Sequence, residues 1–263
     1  MITEGVLNID KPAGWTSHDV VAKIRSLLKV KRVGHTGTLD PMATGVLPIC
    51  FGAATKISSV LMGGEKEYAV TLRLGQETDT QDATGKVLRS CIPPAFSTQR
   101  LEEALASFVG TISQIPPIYS AIKIGGVPLY KLARKGLDIE RAPRPITIKS
   151  IPLLKVDGND ISFNVTCSKG TYVRTLCADI GTKLGVYGHA YSIRRLRSGC
   201  FAIDTAITLD AFRDFYAKGE WEDQVTSIRE ALAFFADAGL NNGRLNRVRD
   251  DDGVESKKEA RYA

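Results

Sequence analysis

Apolar and polar positions alternate most cleanly over Glu67–Leu74. Tyr68, Val70, Leu72 and Leu74 fall on one side, Ala69, Thr71 and Arg73 on the other. That period of two predicts a strand with one buried face. Short apolar runs at Val6–Ile9 and Val46–Ile49 predict two more strands. Between them Val20, Val21, Ile24, Leu27 and Leu28 recur at helical spacing, behind Thr16 and Ser17 as N-caps. Further helices are predicted over Ala54–Leu61, Thr98–Val109 with Gly110 as stop, Pro128–Lys135 ending at Gly136, Leu209–Ala217 and Ile228–Phe235. Another opens at Lys169–Arg174 and reaches Leu184. Tyr119–Ile124 reads as a strand running into a Gly125-Gly126 turn, after a proline-broken connection at Gln114–Pro117. Ile146–Val156 and Ile161–Cys167 flank Asp157-Gly158-Asn159-Asp160 as a hairpin, and Ala190–Leu196 is a last strand. Strands and helices are interspersed without a regular β-α repeat. The class expected is therefore α+β, a mixed, largely antiparallel sheet with packed helices. Apolar density falls after Phe235, and the charged stretch Asn241–Ala263 is expected to be mobile or loosely docked.

Composition adds a partner class. The chain has 263 residues, 43% of them apolar, enough for one large or two small domains. Its net charge of +6 favours a polyanion, of which nucleic acid is the commonest. Lys23, Arg25, Lys29, Lys31 and Arg32 follow one another with no acid between them. They make a solvated helix face or a phosphate-contacting surface. Five cysteines, an odd number with no C-x-x-C pair, argue against a disulfide framework, and three histidines give no local zinc cluster. The N-terminus lacks a signal pattern and no apolar run spans a bilayer, so a soluble, cytoplasmic protein is expected. Lys86 follows Gly85, but no glycine stands five residues before Gly85, which rejects a P-loop.

Candidate chemistry gathers in three places. Gly34-His35-Thr36-Gly37-Thr38-Leu39-Asp40-Pro41 sets one carboxylate in a glycine- and proline-punctuated loop that regular helix cannot occupy. Such a loop aims Asp40 as a catalyst or simply caps a turn with it. Tyr68 opens the alternating strand, as a core tyrosine or a stacking platform. Lys169-Gly170-Thr171-Tyr172-Val173-Arg174 puts a ring two residues from a guanidinium. A nucleophilic aspartate in a dry pocket stays ionised only with a cationic partner, which Arg174 would supply.

These segments resemble the bacterial TruB family of tRNA pseudouridine synthases. The likeness rests on Gly5–Ser17, Gly34–Leu47, Ala54-Thr55-Lys56, Leu74–Thr80 and Lys169–Leu176, in the family's order, and extends over roughly residues 5–215. The resemblance implies isomerisation of uridine 55 in the tRNA T-loop. It implies Asp40 as catalytic aspartate, with Tyr68 stacking on the base and sharing in proton transfer. Arg174 would pair with the carboxylate, with Tyr172 beside it, and His35 would steady the everted nucleotide. Lys56 would stand near the pocket. Apart from the resemblance, the charge of Lys29, Lys31 and Arg32 and their place just before the Asp40 loop make them candidates to meet RNA phosphates. Substrate and product share the same atoms, so neither cofactor nor metal is implied. The partner is the tRNA T-stem-loop, with no membrane and no obligate protein partner, and a monomer is expected. Residues 1–222 would form the catalytic domain. Residues 223–263 would be a short C-terminal segment, where bacterial members often carry a PUA-type RNA-binding domain, here truncated or absent. Two rivals stand beside this. One is a catalytically idle RNA-binding protein on the same scaffold. The other is a glycosidase-like hydrolase, which needs a second carboxylate such as Asp10, Asp79 or Asp82 across the site.

Overall fold

The computed structural model describes residues 2–120, 122–133, 137 and 139–237. Strand β1 (Gly5–Lys11) turns into helix α1 (Ser17–Leu28). Thr16 starts α1 with a reciprocal box. Its hydroxyl accepts from the Asp19 N–H while the Asp19 carboxylate accepts from the Thr16 N–H. Strand β2 (Val33–His35) then pairs antiparallel with β3 (Thr44–Phe51). The helix expected over Ala54–Leu61 is a 3-10 turn, Gly52–Ile57, followed by the single turn α2 (Ser58–Leu61). The hydroxyls of Thr55 and Ser58 bond carbonyls three residues back, which favours the tighter winding.

Strand β4 (Lys66–Leu74) alternates as its sequence predicts. Strands β5 (Gln76–Thr78) and β6 (Val87–Ser90) form a separate hairpin. Helix α3 (Thr98–Ala106) stops a turn before Val109, and Gly110 opens a strand, β7 (Gly110–Gln114), whose last residue was expected to begin the connection Gln114–Pro117. Strands β8 (Lys123–Ile124) and β9 (Val127–Pro128) bracket the Gly125-Gly126 turn, and α4 (Leu129–Ala133) follows. The expected run of that helix to Lys135 and Gly136 lies outside the described residues, as does the tail Asn241–Ala263. The single strand expected over Ile146–Val156 is divided by Pro152 into β10 (Arg144–Ser150) and β11 (Leu153–Asp157). Both pair with β12 (Asp160–Cys167). The chain continues through α5 (Val173–Lys183), β13 (Gly188–Ser198), β14 (Phe201–Ala202), β15 (Ile207–Thr208), α6 (Leu209–Lys218), β16 (Val225–Thr226) and α7 (Ile228–Asp237).

The main sheet runs β15-β1-β3-β13-β4-β12-β10-β7. Within that path β1–β15 and β3–β13 are parallel, and every other neighbouring pair is antiparallel. The fold is the mixed, largely antiparallel α+β class expected. Leu7, Ile9, Leu47, Ile49, Val70 and Phe163 pack with α1 and α5 on one face. Val6, Val46 and Cys50 pack with Ala54, Ile57 and Leu61 on the other. Strands β3 and β13 meet through only Thr44–Arg194 and Gly45–Arg195. Gly45 allows that crossing. A Cβ there would lie 2.2 Å from the Arg195 carbonyl oxygen, and its φ of +101° suits glycine. The crossing brings β13 against the loop that carries Asp40.

Candidate active site

Arg174, on the first turn of α5, reaches Asp40 with two parallel bonds. Its Nε donates to Oδ2 at 2.8 Å and its Nη2 to Oδ1 at 3.0 Å. The guanidinium is saturated by what else surrounds it. Nη1 donates to the Thr80 carbonyl (2.6 Å), Nη2 to the Tyr119 carbonyl (2.9 Å), and Asp82 Oδ2 stands 3.4 Å from Nη1. A planar fork engaged on every side holds one rotamer. The Arg174 side chain is 4% exposed and that of Asp40 34%, so the carboxylate alone faces solvent. Asp82 is buried behind the arginine, where Thr80 and Thr84 also donate to it.

The loop backbone is held as firmly as the carboxylate. The Ser17 hydroxyl, buried at the start of α1, accepts from the Leu39 N–H (2.9 Å) and donates to the Leu39 carbonyl (3.2 Å). The Pro41 carbonyl accepts from the Gly14 N–H and from Lys11 Nζ. Arg195 Nη2 donates to the Gly37 carbonyl (3.0 Å) and its Nε to that of Val46 (2.6 Å). Lys11 and Arg195 are both fully enclosed. Burial brings the Lys11 ammonium down to about 8, opposed by the Asp40 charge.

Tyr68 stands opposite Arg195 in the β4–β13 register and is 8% exposed. Burial pushes its phenol up, with the Arg195 guanidinium acting in the other direction. It is therefore a neutral ring at physiological pH. Tyr172 precedes α5, its backbone clamped by the Gln114 side chain, which accepts from its N–H (2.8 Å) and donates to its carbonyl (3.1 Å). Burial raises the Tyr172 phenol also. His35 accepts from the Gly37 N–H through Nδ1 at 3.2 Å, and its ring meets that of His18 edge-on at 5.6 Å. Burial, with His18 and Arg195 nearby, lowers it to about 4, so it is a neutral imidazole.

Asp40, Tyr68, Arg174, Tyr172 and His35 thus come together around one loop. Lys29, Lys31 and Arg32 do not. They are exposed at the end of β2 and β3 away from Asp40, where the Gly52 N–H donates to the Arg32 carbonyl. Eight residues of β3 put that end roughly 20 Å from the carboxylate. Lys56 corrects an expectation. It is exposed on the 3-10 turn whose Ala54 and Ile57 pack on the opposite sheet face from Leu39. The sheet stands between it and the Asp40 loop. Sequence reasoning missed Lys11, Ser17, Gln114 and Arg195 as positioning groups. Only Lys11 and Ser17 left a signal, lying within the first block of the family resemblance.

A family model described as "TruB family pseudouridylate synthase (N terminal domain)" matches residues 25–173. The chain belongs to the TruB family. A second model, "tRNA pseudouridylate synthase B C-terminal domain", matches residues 174–233. The two TruB matches meet between Val173 and Arg174, inside α5, and residues of both, such as Leu47 and Val70 with Leu176 and Phe212, lie in one hydrophobic core. The "tRNA pseudouridine synthase B" of Syntrophotalea carbinolica is 49% identical over 228 residues, 87% of this chain and 74% of that protein. That of Alkaliphilus oremlandii is 53% identical over 206 residues, 78% of this chain and 69% of that protein. Among solved structures, a chain of "Crystal Structure of a Cbf5-Nop10-Gar1 Complex" aligns with a TM-score of 0.70 at 31% identity. That alignment covers 88% of this chain and 62% of the other. TruB membership makes the chain an isomerase. Among the described residues, no helix is long and apolar enough to cross a membrane.

Proposed function

We propose that the protein converts uridine 55 of the tRNA T-loop to pseudouridine, with Asp40 as the catalytic carboxylate. The observation that carries this is the two-pronged Asp40–Arg174 pair, whose carboxylate is the accessible member of an otherwise buried group. A uridine in a folded loop hides its glycosidic bond, so the base must leave the stack, at a cost of a few kcal/mol. Phosphate contacts along the stem offset that cost. Lys29, Lys31 and Arg32, roughly 20 Å from Asp40, suit a stem rather than the flipped base. His35, neutral and beside the loop, suits the everted nucleotide.

Asp40 then assists rupture of the N1–C1′ bond. Its free lone pairs serve attack on C1′, removal of the C2′ proton to give a glycal, or attack at C6. The uracil, held against the neutral Tyr68 ring, turns to present C5 to the sugar. A C5–C1′ bond forms, the C5 proton leaves and N1 gains one. The atoms balance without a redox partner, and the protein acts as a cytoplasmic monomer. A glycosidase-like pair finds no support, because Asp82 shares Arg174 with Asp40 instead of facing it across a cleft. Mass-shift mapping of tRNA transcripts treated with the purified protein tests the reading. Pseudouridine at position 55 with wild type and none with Asp40→Asn, at retained tRNA binding, is expected. Equal conversion by both proteins would remove Asp40 from the chemistry.

A further inference from the structure

The turn before α1 carries an indole that the reaction above does not use. Pro12 to Thr16 are all exposed, and Trp15 keeps 37% of its surface open. Yet the turn is fixed from beneath. Lys11 Nζ donates to the carbonyls of Pro12 (2.9 Å), Trp15 (2.6 Å) and Pro41 (3.2 Å). The Gly14 N–H donates to the same Pro41 carbonyl at 2.8 Å. Pro41 is the residue after Asp40. One buried ammonium therefore ties the indole's own peptide to the peptide beside the catalytic carboxylate. His18, also exposed, follows on the first turn of α1 with its ring edge-on to His35.

An apolar residue just before an N-cap ordinarily staples onto the fourth residue of the helix. Here that residue is Val20, already fully buried, and more than a third of the Trp15 residue's surface still faces water. Trp221 shows the contrast, packed among Phe51, Phe212 and Tyr216. A rigidly mounted, exposed ring costs little side-chain entropy when a ligand covers it.

We propose that Trp15 is a stacking platform for an unpaired nucleobase next to the flipped uridine. The inference rests on the reading of Asp40 as the centre of an RNA isomerase. Stacking on an aromatic ring tolerates any base and contributes about tenfold in affinity. The indole is uncharged, so it does so without releasing counterions.

Binding of a T-stem-loop RNA is measured in an Asp40→Asn background, where no turnover intervenes. Trp15→Ala is expected to raise Kd about tenfold, with an unchanged slope of log Kd against log salt and an unchanged melting midpoint. Trp15→Phe should recover most of the affinity. The indole emission should change on adding RNA, and that change should vanish in Trp15→Phe. An unaltered Kd in Trp15→Ala, or an emission change that survives Trp15→Phe, overturns the proposal. A lowered melting midpoint with unaltered Kd also overturns it, leaving only the staple. Pseudouridine formation by the wild-type protein is scored separately. Product without any Trp15 effect sinks this inference alone, whereas absence of product sinks the reading of the site.

Discussion

The two ends of β3 are built on opposite plans. At the Thr44 end, Ser17, Lys11, Arg195 and Arg174 are buried, and each gives at least one hydrogen bond to the backbone or carboxylate of the Asp40 loop. At the Phe51 end, Lys29, Lys31 and Arg32 point into solvent, and Lys56 does so over the other sheet face. Buried donors fix position, because an unmade bond there costs the full desolvation of the group. Exposed cations fix little but attract phosphate at long range, subject to salt. On the proposed function, the first end sets geometry for a reaction and the second collects a polyanion. Variants at the first should therefore change rates, and variants at the second affinities.

Arg174→Ala should break that division or sharpen it most. It removes both bonds to Asp40 and leaves two carboxylates unneutralised in one pocket. Single-turnover kcat is expected to fall about a thousandfold or more, with Kd for tRNA within about threefold. Arg174→Lys should rescue little, since a point charge cannot replace the fork. A large loss of affinity instead would mean that Arg174 serves the polyanion. Next in size is the triple Ala variant of Lys29, Lys31 and Arg32. Filter binding across a salt series should show affinity down by about ten- to a hundredfold and the slope shallower by about two to three. Saturated kcat should stay put. An unchanged slope would return these charges to a solvated face.

Much of the first end is legible in the sequence. Gly34, Gly37 and Pro41 mark a loop that aims Asp40, and the alternation through Tyr68 survives as the buried face of β4. Tyr172 and Arg174 announce themselves by standing where a turn becomes a helix. Arg195 does not. In sequence it is one of three arginines on a strand, Arg194, Arg195 and Arg197. Only the β3–β13 crossing, and the register shift between Arg195 and Arg197, turn it toward Tyr68 while Arg194 pairs with Asp10. Gln114 was hidden for a different reason. The prolines at 116 and 117 made its segment look like a connection, although it closes the edge strand β7. Long-range pairing, rather than local pattern, decides such residues.

His35 stands between the two ends, on β2, and offers a test in pH. Its folded value of about 4 lies below the ordinary 6.5. The unfolded chain therefore binds the proton that the folded one refuses, and stability falls as pH drops from about 6.5 toward 4. Urea unfolding should show about 2 kcal/mol lost between pH 7 and pH 5, a share that His35→Asn removes. Identical pH profiles for the two proteins would mean that His35 is not held neutral, and the tight packing ascribed to its loop would be wrong.

Ser17→Ala is the smallest change and the finest discriminator. One hydroxyl both accepts from and donates to Leu39, so its loss frees the peptide next to Asp40 without touching any charge. Two buried backbone groups lose their partner, at a cost of about 1–3 kcal/mol in stability. Bidentate pairing to Arg174 survives, so the carboxylate stays in the pocket but samples a wider range of positions. A misplacement well under an ångström is enough to lower kcat about tenfold, and affinity for RNA should not respond. Ser17→Thr keeps the hydroxyl and should restore kcat if the extra methyl fits beside Leu39. A Ser17→Ala enzyme with normal kcat and lowered stability would show that Arg174 alone positions Asp40, and that the backbone clamps serve only the fold.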